Sequence, residues 1–67
     1  MTTRKQALFR EVATTTARLA SARQSFEDAR NLARAGFASD VVFALHGEAG
    51  AFNAWLKASE AFQAYRD

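Results

Sequence analysis

The side chains able to do chemistry in this chain are few, and their spacing does not combine them. There is one histidine, His46, and no cysteine. The nearest acid, Glu48, stands two residues away, whereas side chains that meet on a helix are three or four apart. Glu27 and Asp28 are adjacent and diverge for the same reason. Ser21, Ser25, Ser39 and Ser59 have no histidine and acid spaced to activate a hydroxyl. One imidazole without a thiolate falls short of a zinc ligand set. No glycine-rich loop joins a strand to a helix, so the pattern of a phosphate cradle is missing. The expectation is a protein that is not an enzyme, with no catalytic, cofactor-binding or metal-ligating residue, and with His46 on the surface or at a rim.

The cations offer more. The formal net charge is +2, but it is unevenly placed. Residues 1–37 hold Arg4, Lys5, Arg10, Arg18, Arg23, Arg30 and Arg34 against Glu11, Glu27 and Asp28, which is +4. Residues 38–67 hold Lys57 and Arg66 against Asp40, Glu48, Glu60 and Asp67, which is −2. Such asymmetry fits an anionic partner, and it fits equally two segments of this protein that attract each other. On a helix, Arg23 and Arg30 continue a line that starts with Phe9 and Thr16. Arg4, Arg18 and Leu32 line the opposite flank. Glu27 is spaced to pair with Arg23 and Arg30 within the helix, which dilutes the stripe.

These side chains need a scaffold, and the composition points to helices. There is no proline, glycine occurs three times, and alanine, arginine, glutamate and glutamine are frequent. Sixty-seven residues bound a single domain, read here as one helical hairpin over 1–67. A lone core of this size supplies only ~3–5 kcal/mol, and without cysteine the expected staple is a second chain. Met1 to Thr3 is expected to fray. From about residue 4 to 35 a heptad runs without a break. Lys5, Val12, Leu19, Phe26 and Ala33 alternate with Leu8, Thr15, Ala22, Ala29 and Gly36, giving steps of three and four. Thr15 falls in this seam, where its hydroxyl is expected to bond back to a carbonyl one turn earlier. Arg34, Gly36 and Phe37 then form a stop signal with a left-handed cap. Ser39 or Asp40 caps the second helix, read as about 40 to 65. So short a connection makes the two helices antiparallel neighbours.

The second helix carries more apolar surface than one neighbour can cover. One seam runs Val42, Leu45, Ala49, Phe52, Leu56; another runs Val41, Ala44, Ala51, Trp55, Ala58, Phe62, Tyr65. Gly47 and Gly50 either break the helix near residues 46–50 or mark a close backbone approach; both seams cross them in phase, so a continuous helix is the expectation. A single partner helix needs one stripe. The expected arrangement places Phe26 opposite Phe52 inside the hairpin. It leaves Trp55, Ala58, Phe62 and Tyr65 as the dimer interface, two hairpins then closing into a four-helix bundle.

Two functions from different classes suit this architecture. The first is a small protein-binding regulator of inhibitor, anti-activator or adaptor type, a format common among tiny phage and plasmid proteins. Aromatic and arginine side chains are enriched in binding hot spots, which singles out Phe9, Arg18, Arg23, Arg30, Leu32, Phe37 and Phe43 as partner-binding. The second follows from a likeness. A hairpin of this length with alternating large and small layers resembles, in architecture only, the Rop family of plasmid copy control, dimeric hairpins that bind paired RNA loops with one helical face. The resemblance carries over no residue; it implies RNA or DNA binding on the arginine face of the first helix. The expected partners are a second copy of the chain and another protein, with nucleic acid ranked behind and no membrane. The expected location is the cytoplasm.

Overall fold

The structure, a computed structural model, describes residues 3–66. Helix α1 (Arg4–Arg34) and helix α2 (Val41–Ala64) pack against each other as a hairpin measuring 53 × 19 × 12 Å, two helices wide and one deep. The start of α1 is fixed by a capping box. Gln6 N–H donates to Thr3 Oγ1 at 3.1 Å, and Thr3 N–H donates to Gln6 Oε1 at 3.0 Å. Thr3 is thus the cap rather than part of a frayed end; the expectation for Met1 and Thr2 lies outside the described residues. Asp40 caps α2, accepting the Phe43 N–H at 2.8 Å. An N-cap of this kind is worth about 1 kcal/mol.

Between them the chain turns through a paired C-terminal cap. Phe37 N–H donates to Leu32 O at 2.9 Å and Gly36 N–H to Ala33 O at 3.1 Å, with Gly36 at φ +91°. Those two bonds satisfy carbonyls that the last turn of α1 would otherwise leave orphaned. Only glycine takes this φ without a steric penalty. The two glycines of α2 behave differently. The helix runs through Gly47 and Gly50 unbroken, and a Cβ built on either meets no atom within 4 Å. Close approach of the α1 backbone is therefore not what places them; both are exposed.

Two contacts fix the level of one helix against the other. The rings of Phe9 and Phe62 lie 5.9 Å apart, and Arg23 Nε lies 3.9 Å from Glu48 Oε1. In each pair the residue numbers add to 71. The partly and fully buried side chains then fall into layers. To within one residue of that level, the half-buried and buried Leu8, Val12, Thr15, Leu19, Ala22, Phe26 and Ala29 of α1 come opposite Phe62, Ala58, Trp55, Ala51, Glu48, Ala44 and Val41 of α2, in pairs that add to 70. Large meets small along this list: Val12, Leu19 and Phe26 each face an alanine, and Trp55 faces Thr15. Interlocking of that kind lets helices approach closely without voids. The deepest points are Thr15, Leu19 and Ala58. Thr15 is accommodated as its hydroxyl donates to Glu11 O at 2.8 Å.

The expected inner seam of α2 is corrected by this packing. The row carrying Trp55, Ala58, Phe62 and Tyr65, assigned from the sequence to a dimer interface, faces α1. The row Val42, Leu45, Phe52 and Leu56 faces away and is exposed. Phe52 does not meet Phe26; its ring lies 5.9 Å from that of Trp55. The reason is the alternation of size. Only the Trp55 row offers alanine at every second layer to receive Val12, Leu19 and Phe26. The turn adds to the shift: Ala29 is level with Val41, so the last turn of α1 overhangs the start of α2 and the connector returns along it.

Candidate functional site

Among the described residues, eight large apolar side chains stay exposed, and they fall into three groups. Val42, Leu45, Phe52 and Leu56 form the outer row of α2. Leu32, Phe37 and Phe43 gather toward the closed end of the hairpin. Phe9 stands at the open end. Exposed large apolar side chains that group together, rather than scatter singly, are the pattern found at interaction surfaces.

At the closed end the geometry follows from the cap. The left-handed Gly36 throws Phe37 outward, and Phe37 is 64% exposed. Phe43, in the first turn of α2, is 75% exposed. Leu32 belongs to the overhanging turn of α1, which has no α2 residue opposite it. Arg34 stands two residues beyond Leu32 in the same turn. Aromatic side chains are among the residue types enriched in protein-binding hot spots.

The open end has a different character. Phe9 and Phe62 meet at an interplanar angle of 58° and, with Lys5, Gln6, Arg10 and Ala13, line an open groove of about 560 Å³. No acid stands in the first turn of α1, where Arg4 and Lys5 add to the positive end of the helix dipole. This end suits an anionic group next to an apolar one.

The arginine stripe is partly engaged within the molecule. Arg23 reaches across to Glu48, and the Arg30 guanidinium lies 5.9 Å from the centre of the Phe26 ring. The expected pairs of Glu27 with Arg23 and Arg30 do not form among the described residues. Gln24 Nε2 donates to Asp28 Oδ1 at 2.9 Å instead. Arg18 is exposed on the flank it shares with Leu32. Of the partner-binding candidates, Leu32, Phe37 and Phe43 are brought to one end. Phe9 is brought to the other, while Arg18, Arg23 and Arg30 are spread along the length of α1. Glu48 was not read as part of any seam. Its signal was the gap it leaves in an otherwise regular apolar row between Ala44 and Ala51.

His46 is exposed on the outer side of α2. No cluster of three or more histidine and acidic side chains stands close enough to hold a metal ion among the described residues. Among the described residues, no helix is long and apolar enough to cross a membrane. Comparison with protein-family models, with curated proteins and with solved structures gave no match, so the arrangement of side chains alone carries the functional reading.

Proposed function

We propose that this chain is a small non-catalytic regulator that binds another protein, as an inhibitor, anti-activator or adaptor, and that it works as a dimer of hairpins forming a four-helix assembly. The carrying observation is the grouping of exposed apolar side chains into an α2 row and a separate closed-end cluster of Leu32, Phe37 and Phe43. One surface serves the dimer and leaves the other for the partner. In this reading the chain has no catalytic residue, takes no cofactor and acts in the cytoplasm. Capture of partners from source-cell extract, with and without nuclease, tests it. A protein retained after nuclease by the wild type, and lost with Phe37→Ser/Phe43→Ser, is the expected result. Recovery of RNA or DNA alone refutes it.

Nucleic-acid binding by the arginine face of α1 is the second reading, and the +4 charge of residues 1–37 favours it. The engagement of Arg23 by Glu48 and of Arg30 by Phe26 places it behind the first. Phosphate contacts would give binding that falls steeply with salt, through counterion release. They would also tolerate Arg23→Lys and Arg30→Lys. A protein surface that uses planar guanidinium forks would not tolerate lysine.

A further inference from the structure

Resting on the dimer in that reading, we infer that the outer row of α2 is covered by the same row of a second copy, antiparallel, with Leu45 against the partner's Leu56 and Ala49 against the partner's Phe52.

The first argument is area. A 7.4 kDa chain folded into a globule exposes about 4200 Å² by the usual scaling with mass. This hairpin exposes 5210 Å². The surplus, about 1000 Å², matches the roughly 800 Å² that each partner buries in a stable protein interface. The radius of gyration agrees: it is 15.6 Å, against about 11 Å for a globular chain of this length.

The second argument is which helix can pair with itself. Helix α1 has one apolar stripe, and α2 already covers it. Its flanks carry Arg23 and Arg30 on one side and Arg4 and Arg18 on the other, so two copies of α1 would set like charges together. Helix α2 has two stripes, about 110° apart around its axis. The outer one has no charged residue between Val42 and Leu56. Beside it run His46, Asn53 and Glu60. In the antiparallel pairing the two copies of Glu60 stand about 28 Å apart along the axis, clear of each other.

The third argument is fit. In a parallel pair, identical residues meet, so Phe52 would oppose Phe52 and Ala49 would oppose Ala49, giving one overfilled layer and one void. The antiparallel pairing whose residue numbers add to 101 places each Phe52 over an alanine and matches leucine with leucine. It also opposes the helix dipoles. Sliding one heptad, to pairs adding to 94, leaves Leu56 opposite Ala38, beyond the start of α2. The rule is the one that already orders the hairpin itself, large against small.

Cysteine crosslinking tests the pairing, and the chain contains no cysteine of its own. Leu45 and Leu56 are about 16 Å apart along one helix, too far for a disulfide within a chain. Oxidised Leu45→Cys/Leu56→Cys should form covalent dimers. Leu45→Cys alone should not, because its two copies stand as far apart; mixing it with Leu56→Cys chains should restore the crosslink. Phe52→Asp should weaken self-association roughly a hundredfold or more, the substitution acting twice per dimer. Helix content per chain should survive at concentrations where that variant is monomeric, since Phe52 is outside the hairpin layers. Efficient crosslinking by Leu45→Cys alone, a dimeric Phe52→Asp, or a wild type that sediments as a monomer at high micromolar concentration each overturns the pairing. The regulator reading fails separately: a chain that crosslinks in the expected pattern but captures no protein through its closed end keeps the pairing and loses the regulator.

Discussion

Replacing Gly47 and Gly50 by alanine should make this protein more stable, although glycines within a helix are commonly taken as sites of close packing. The backbone at both positions is helical, and a Cβ on either would meet nothing within 4 Å. No steric term opposes the change. What remains is the propensity difference, ~0.8–1.0 kcal/mol per exposed helical site in favour of alanine, acting largely through the freedom glycine gives the unfolded chain. The double variant should gain about 1.5–2 kcal/mol, which for a domain of this size raises Tm by roughly 8–15 °C. Thermal melts followed by far-ultraviolet circular dichroism read this directly. Chain concentration must be held fixed, because dimer formation makes Tm depend on it. Both glycines lie on the side of α2 away from Val42, Leu45, Phe52 and Leu56, so self-association should be unchanged. Gly36→Ala is the opposing control: at φ +91° a side chain is strained, and a loss of about 1–2 kcal/mol is expected. A double variant that melts lower than wild type, or that loses self-association, would refute the packing and place another backbone on the glycine face.

The other substitutions separate the layers of the hairpin from its surface. Leu19→Ala, at a side chain 6% exposed, should cost about 2–4 kcal/mol, whereas Leu45→Ala should leave the stability of the monomeric hairpin nearly unchanged; chemical denaturation of both compares them. Thr15→Val should be neutral or stabilising by up to about 1 kcal/mol, since the Glu11 carbonyl that receives the hydroxyl keeps its helical N–H and a buried polar atom is removed. Glu48→Gln should change stability by less than about 0.5 kcal/mol, because a 3.9 Å pair with an exposed arginine is weak, and a salt titration of the wild-type melt should be correspondingly flat. Phe37→Ser/Phe43→Ser should leave Tm within a few degrees of wild type while removing the partner in capture experiments.

Much of the fold is legible in the order of residues. The heptad of α1, the stop at Gly36, the Asp40 cap, the continuity of α2 through its glycines and the back-bond of Thr15 all follow from local rules, and the structure agrees with each. Thr3 and Gln6 spell a capping box just as locally, though the chain terminus invites a reading of fraying instead. What the local rules leave open is the facing of α2. Both of its rows are apolar and in phase, and ranking them by bulk puts the Trp55 row outside. Packing ranks them by complementarity to α1, and there Ala44, Ala51 and Ala58 outweigh Leu45 and Phe52. Glu48 conceals the answer, because an acid in the inner row makes that row look interrupted. Its carboxylate is tolerated there since Ala22 opposite is small and Arg23 is within reach. The candidate site was legible in part for the same reason. Phe37 and Phe43 are exposed by local cap geometry, whereas the use of Arg23 and Arg30 within the hairpin depends on what the second helix and the neighbouring turn bring to them.

The count of stripes on each helix also limits the assembly. A helix with one apolar stripe has one neighbour and must stand at an edge; a helix with two has two neighbours and must stand inside. With α1 of the first kind and α2 of the second, the proposed order is α1, α2, the partner's α2, the partner's α1. No uncovered row remains to recruit a third chain, so the two-fold contact closes rather than growing into a filament. The antiparallel sense has a further consequence. It sends the two closed ends in opposite directions, so the two copies of the Leu32, Phe37 and Phe43 cluster are separated along the axis by about 22 Å at Phe43 and about 40 Å at Phe37. The two clusters face opposite ends of the assembly, so each presents a separate surface. Each end then binds on its own, and titration of a partner should give two equal, independent sites per dimer. Cooperative binding, or one partner per dimer, would require the closed ends to lie side by side and so would contradict the antiparallel pairing.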